Sequence, residues 1–107
     1  MVHNILEKTG IPYKETRFNK APSTTYLIFT DSVARQGADN RNLLYYHHVF
    51  IELYSSCIDF ESEKKLENQL DTYAINYNKS ERVWLDDEQK YQIIYDFNYL
   101  EKEGERQ

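Results

Sequence analysis

Cysteine, glycine and proline are all scarce in this sequence, with one, three and two residues respectively among 107. The single Cys57 excludes an internal disulfide and fits a reducing compartment. Three widely spaced glycines cannot build a phosphate-cradling loop, which needs several glycines close together. No apolar run reaches the roughly 18 residues that a membrane-spanning helix requires, so we expect no membrane association.

Basic residues are few and scattered. The 13 lysines and arginines are outnumbered by 18 aspartates and glutamates, which gives a formal net charge of −5. Electrostatic binding to nucleic acid needs clustered lysine and arginine, so we expect no nucleic-acid partner and no sequence-specific binding. The start MVHNILEKTG lacks the basic and apolar regions of a signal peptide, and we expect synthesis and retention in the cytoplasm.

Aromatic residues, in contrast, are abundant. They make up 15% of the chain, and ten of them are tyrosine. Tyrosine combines a large apolar ring with a polar hydroxyl, and it is enriched on surfaces that become buried when proteins associate. The composition therefore favours a protein with macromolecular partners.

Hydrophobic periodicity predicts one α+β domain over residues 1–107. A short N-terminal helix over 2–9 is expected to end at Gly10. A main helix over 60–73 is expected to begin after Asp59, whose side chain suits an N-cap.

The strand predictions give a single antiparallel sheet. Runs rich in β-branched and aromatic residues predict about five strands, at 11–18, 25–32, 43–55, 74–85 and 90–100. Residues 33–42 are expected to form a polar loop, 86–89 a turn, and 101–107 a flexible tail. Neighbouring strands with short connections pair antiparallel by default, and the main helix is expected to pack on one face of this sheet.

Strand 43–55 has two chemically different faces. Its odd-numbered residues from Val49 onward are aliphatic, and we expect them in the core. Its even-numbered face carries Tyr46, Phe50 and Tyr54, and the main helix can cover only one side of the sheet. An aromatic row left uncovered indicates an interaction surface, so these three residues are predicted to contact a partner.

The adjacent histidines at 47 and 48 invite a metal or catalytic interpretation. Consecutive strand residues point to opposite faces, so the two rings cannot share one ion or one substrate proton. Cys57 has no flanking motif that would activate it as a nucleophile, and the DDE run at 86–88 lacks the interleaved ligands of a cation loop. We therefore predict no catalytic residue, no metal, no cofactor and no enzymatic activity. A small hydrolase or metal enzyme that uses a histidine with Cys57 is the enzymatic alternative.

Five sequence elements follow one another in a recognisable order. They are APSTTYLIF with Pro22, Tyr26 and Phe29; the GADN loop at 37–40; the strand end IELY at 51–54; a helix opened by Asp59; and a closing strand with Glu88, Tyr91, Gln92, Tyr95 and Phe97. Over roughly residues 5–98 the chain resembles small tail-completion proteins of tailed phages and prophages of Gram-positive bacteria. The shared patterns are structural and include no catalytic motif.

The resemblance implies a tail terminator, a small α+β subunit that caps the tail tube and helps join tail to head. Such subunits form a homo-oligomeric ring, commonly six-fold, between tail-tube and head-completion proteins, at the head-proximal end of the tail in the virion. The isolated subunit can be a monomer that assembles only on the tube. The implied subunit interface comprises the loop residues Gly37, Ala38, Asp39, Asn40 and Arg41 and the strand residues Tyr46, Phe50 and Tyr54.

Two other non-enzymatic functions fit the same sequence. A head-completion or connector protein is also a small ring-forming virion component with oligomeric faces. A host-encoded regulatory or anti-phage module would use the aromatic face for a different protein partner.

Overall fold

The computed structural model describes residues 1–36 and 44–102 of the chain. Each of the two helices in these residues is followed by three strands, and this arrangement confirms the predicted α+β class. The elements are α1 (Val2–Thr9), β1 (Tyr13–Glu15), β2 (Tyr26–Gln36), β3 (Leu44–Ser55), α2 (Phe60–Thr72), β4 (Asn78–Lys79), β5 (Val83–Leu85) and β6 (Lys90–Lys102).

Both helix predictions are confirmed; α1 has the predicted bounds, and α2 begins at Phe60 as predicted but ends at Thr72, one residue early. Gly10 ends α1 in the left-handed conformation, with φ of 75°, and its backbone N–H donates to the carbonyl of Glu7. Asp59 caps α2, because its side chain accepts a hydrogen bond from the backbone N–H of Ser62 at 3.1 Å. No helix in residues 1–36 and 44–102 is long and apolar enough to cross a membrane.

The sheet differs from the expected all-antiparallel arrangement of about five strands. Its strand order is β1-β2-β3-β6-β4, and β5 also pairs with β6, which makes six strands among the residues that the structure describes. The pairs formed by β3, β4 and β5 are antiparallel as predicted, whereas β1 pairs parallel to β2. A parallel pair requires the chain to return to its starting end. Residues 16–25 provide this return, and β1 is short enough for ten residues to suffice.

Several strand boundaries also differ. β2 continues to Gln36, so the first four residues of the expected loop 33–42 are strand, paired with β3. Predicted strand 74–85 is two short strands, because Ser80 Oγ accepts the backbone N–H of Ile94 and so replaces a ladder bond. β6 runs two residues into the expected tail, and residues 103–107 lie outside the described residues.

The core lies on the odd-numbered face of the sheet, as expected for β3. Both helices contribute to one buried apolar cluster with the strands, and α1 and α2 also contact each other. Its buried members are Val2, Ile5, Leu6, Ile11, Leu27, Phe29, Val49, Ile51, Leu53, Leu66, Leu70, Ile93, Tyr95 and Phe97. Burying these side chains contributes roughly 1.5–3 kcal/mol for each large residue.

Beyond this core, β2, β3 and β6 continue together as a three-stranded ribbon, which we define as residues 31–36, 44–48 and 98–102. The buried apolar residues of the three strands end at Phe29, Val49 and Phe97. The continuation gives the molecule its elongated form, with extents of 50 × 27 × 23 Å. The ribbon carries one face in line with the core and one even-numbered face, the open face, on which neither helix packs.

Candidate functional site

Apolar side chains are exposed on the open face of the ribbon and on the adjoining part of the same face of β3. Tyr46 is 42% exposed, Phe50 37% and Leu100 48%. The strand register places Ala34, Tyr46 and Leu100 in one row across the three strands. Phe50 lies two rows closer to the core on the same face. The structure therefore brings two of the predicted contact residues together and adds Leu100 to them.

The sequence prediction of contact residues did not include Leu100, although its position in β6 indicated that it lies on the open face. In β6 the odd-numbered residues Ile93, Tyr95 and Phe97 are buried, so an apolar residue at an even position must lie on the other face. Leu100 is such a residue, and it reaches the open face for that reason.

Tyr54 is on the same face but in a different environment. Its ring stacks on Tyr26 with centroids 5.2 Å apart, and Phe18 packs edge-on against Tyr26. The Tyr54 hydroxyl donates to Glu52 Oε1 at 3.0 Å and accepts from Gln92 Nε2 at 2.9 Å. Burial, the larger cause, and the carboxylate of Glu52 raise the pKa of Tyr54 to about 12. Only 9% of Tyr54 is exposed, so its contacts are within the subunit.

The remaining predicted contact residues, Gly37, Ala38, Asp39, Asn40 and Arg41, lie outside the described residues. They connect β2 to β3 in sequence. Their part in an interface therefore stays a prediction.

His47 and His48 lie on opposite faces of β3, as strand alternation predicts. His47 is buried between two carboxylates, with Nδ1 2.9 Å from Asp31 and Nε2 2.8 Å from Glu101. Its ring also stacks on Tyr99 at a centroid distance of 4.2 Å. His47 therefore forms a clamp across β2, β3 and β6, because its two ring nitrogens contact carboxylates on the two neighbouring strands.

His48 has a simpler environment on the open face. Its Nε2 lies 2.9 Å from Asp96, and its ring contacts Phe50 at 4.3 Å. Within the described chain, no group of three or more histidine, cysteine, aspartate or glutamate residues is arranged to hold a metal ion. Asp31 and Glu101 bind opposite nitrogens of His47, so they do not converge on a common point.

A cleft of about 300 Å³ lies at the other end of the molecule, beside the N-terminus of α2. Its polar centre is Asp59, which accepts hydrogen bonds from Thr25 Oγ1 at 2.6 Å and Ser62 Oγ at 2.7 Å. Hydrogen bonds from Thr25 and then Ser62 lower the pKa of Asp59. The carboxylate is therefore occupied in capping the helix and in holding it to Thr25.

The fold of this chain is similar to folds among solved structures. No protein-family model and no curated protein matches the chain. Among solved structures, a chain from the virion of a native gene transfer agent (GTA) particle is similar, with a TM-score of 0.52 and 13% identity. The match covers 88% of this chain and 81% of that chain. The two chains share a fold.

Proposed function

We propose that this protein is a non-enzymatic structural subunit of a phage-type virion, specifically a tail terminator that caps the tail tube and helps join tail to head. The observation that carries the proposal is the fold shared with a chain of a gene transfer agent virion over 88% of the length. The sequence resemblance to tail-completion proteins, at GADN and IELY, supports the same function independently.

The ribbon supports an assembly function because it offers apolar contact area. Tyr46, Phe50 and Leu100 are exposed together on the open face. Side chains of this kind are characteristic of the buried centre of protein interfaces. We assign Tyr46 and Phe50 to contact with a partner, together with the loop residues at 37–41. Tyr54 lies on the same face of the sheet and contacts residues of its own subunit.

In the proposed assembly, copies of the chain form a closed ring between the tail-tube protein and a head-completion protein. Each subunit of such a ring offers one surface to the copy before it and another to the copy after it. The net charge of −5 suits a ring through which DNA must pass, because an acidic surface does not hold phosphates.

Deletion of the gene in its parent phage or prophage tests the function. We expect overlong tails, or full heads beside unattached tails, when particles are examined by electron microscopy. Complementation with the wild-type gene should restore infectious particles, which excludes an effect on neighbouring genes.

Other outcomes of the deletion would assign the alternatives. Tails of normal length beside heads that lose their DNA would place the protein in a head-completion ring. Normal infectious virions would exclude a structural function, and the host-encoded interaction module would replace it.

A further inference from the structure

The ribbon has two sheet edges that no strand covers in the described chain. On one side, β1 pairs with β2 only opposite Leu27, Ile28 and Phe29. On the other side, β4 pairs with β6 only opposite Tyr95 and Asp96. We call residues 30–36 the β2 edge and residues 97–102 the β6 edge. Each carries outward backbone N–H and C=O groups that can pair with a further strand.

The direction of these backbone groups follows from the bonds already made. Leu27 donates to Pro12 and Phe29 accepts from Thr16, so odd-numbered residues of β2 direct their backbone groups outward. Ile94 bonds Ser80 on the outer side of β6, so even-numbered residues of β6 direct theirs outward. By alternation, Val33 and Arg35 are outward on the β2 edge, and Asn98 and Leu100 on the β6 edge.

β2 and β6 run in the same direction, because each is antiparallel to β3. We propose that the β2 edge of one copy pairs in parallel with the β6 edge of a neighbouring copy, so that the sheet continues from subunit to subunit. This inference rests on the proposed ring and names the surface that closes it. Its partner is a second copy of this chain.

The register of the ribbon specifies the pairing. Within one chain, Val33, His47 and Tyr99 share a row. If the ribbon of the neighbouring copy continues the same rows, Val33 of one copy lies opposite Tyr99 of the other. The N–H of Val33 then donates to the carbonyl of Asn98, and the N–H of Leu100 donates to the carbonyl of Val33. This is the alternation that a parallel ladder needs, and it keeps both faces in phase.

Side chains agree with the same register. Arg35 and Glu101 share a row with Tyr45, so Arg35 meets Glu101 of the neighbouring copy. On the open face Ala34 meets Leu100, which is 48% exposed in the single chain. Opposite charges and apolar pairs across neighbouring strands are each stabilising. Tyr46 lies in this row, so the exposed apolar side chains of successive copies form a continuous belt.

Pairing of two β2 edges by a two-fold axis is the competing geometry. It would place Arg35 opposite Asp31, which binds His47 just as Glu101 does, so this charge pair does not distinguish the two geometries. It would, however, leave the β6 edge uncovered, with Leu100 in solvent. Parallel pairing of the β2 edge with the β6 edge uses both edges.

Cysteine cross-linking tests the register. Cys57 is free and exposed, so the variants are made in a Cys57→Ser background. Opposite strand residues have Cα atoms about 5 Å apart, which a disulfide can bridge. Ala34→Cys with Leu100→Cys should therefore give a ladder of oxidised oligomers on a non-reducing gel, from concentrated protein or from assembled particles. Both positions are exposed, so circular dichroism should show an unchanged fold.

The controls distinguish the possible pairings. Ala34→Cys with Asn98→Cys is one row out of register and should give little cross-linking. Val33→Cys alone should give no dimer, because only the two-fold pairing places Val33 opposite itself, and a strong dimer band would establish that pairing instead. Absence of a ladder from the Ala34 and Leu100 pair in both preparations would overturn the inference.

Charge exchange provides a second readout. Arg35→Glu should lower the yield of cross-linked oligomers about two- to five-fold, and combining it with Glu101→Arg should restore it. Glu101 also binds His47 within its own chain, so Glu101→Arg alone could lower the yield for that reason. Recovery of the yield in the double variant therefore identifies the contact between Arg35 and Glu101 of neighbouring copies. If the ladder forms but deletion of the gene leaves virions normal, the pairing stands and the proposed tail function fails.

Discussion

His47 and His48 are adjacent in sequence and have opposite structural roles. Alternation along a strand predicts that they face different sides, and the structure confirms it. The partners of His47 could not be predicted, because Asp31 and Glu101 are 16 and 54 residues away. They meet His47 only through the register of three strands. Sequence patterns specify which face a residue lies on, whereas register depends on tertiary packing.

Replacing His47 with alanine should destabilise the protein strongly. The substitution leaves Asp31 and Glu101 without their shared hydrogen-bond partner, and only 7% of His47 is exposed. We expect a loss of about 1–3 kcal/mol in the free energy of unfolding, measured by urea denaturation.

His48→Ala is the matched control on the same strand. The side chain of His48 is 42% exposed and binds one partly exposed carboxylate, so its loss should cost less than about 1 kcal/mol. Equal losses for the two variants would show that the clamp of His47 does not stabilise the ribbon.

Tyr54 makes stability sensitive to alkaline pH. Its pKa is raised to about 12, above the value of about 10 for an unfolded tyrosine. Because the pKa is higher in the folded state, Tyr54 makes its full contribution to the free energy of unfolding below pH 10. This contribution is lost as the pH rises through 12. Tyr54→Phe should cost about 1 kcal/mol at pH 8 through lost hydrogen bonds, and the difference from wild type should shrink by pH 11. Urea denaturation at both values measures it, and a constant difference would contradict the assignment.

At the scale of elements, α2 is the best-predicted part of the chain and predicted strand 74–85 the worst. Asp59 and the spacing of Leu66 and Leu70 are local signals, and they specify the helix. The break between β4 and β5 has a tertiary cause in addition to the hydrogen bond that Ser80 Oγ accepts from the backbone N–H of Ile94. Lys79 and Arg82 both bind Glu63, which is only 4% exposed on α2. Nothing in the local pattern at 74–85 reveals that contact.

The cap at the start of α2 should be worth a measurable part of the stability. Asp59→Ala removes the acceptor of the Ser62 N–H and of Thr25 Oγ1, and we expect a loss of about 1–2 kcal/mol at pH 7. The pKa of Asp59 is lowered in the fold, so its contribution is present above the unfolded pKa and disappears as pH falls through the folded value. Thermal unfolding at pH 7 and in acid measures both effects.

Asp59→Asn is the control for charge. Asparagine retains a capping oxygen, so this variant should lose less stability than Asp59→Ala at pH 7. The difference in stability between Asp59→Ala and wild type should be smaller in acid than at pH 7. A difference that persists unchanged at the lowest pH would mean that ionisation of Asp59 does not contribute.

At the scale of the whole molecule, assembly should be separable from folding. Tyr46→Ser combined with Leu100→Ser removes exposed apolar side chains from the ribbon, so the unfolding midpoint should change little. Complementation of the deletion by this variant should give at least a ten-fold lower yield of infectious particles, since loss of about 1.4 kcal/mol of contact free energy changes an equilibrium ten-fold.

Phe60→Ser controls for the loss of an exposed aromatic residue. Phe60 is 68% exposed and starts α2, close to the end of β3 that is far from the ribbon. This variant should complement the deletion normally. If the ribbon variant complemented equally well, the open face would have no part in assembly.

β6 is the last described strand to leave the ribosome, and it pairs with β3, β4 and β5. Until it emerges, β3 has one neighbour, the core lacks Ile93, Tyr95 and Phe97, and His47 lacks Glu101. Contacts between residues so distant in sequence form late in folding. We therefore expect a chain interrupted before β6 to be unfolded and open to proteolysis. The order of synthesis therefore limits display of the ribbon to chains that have been translated through β6.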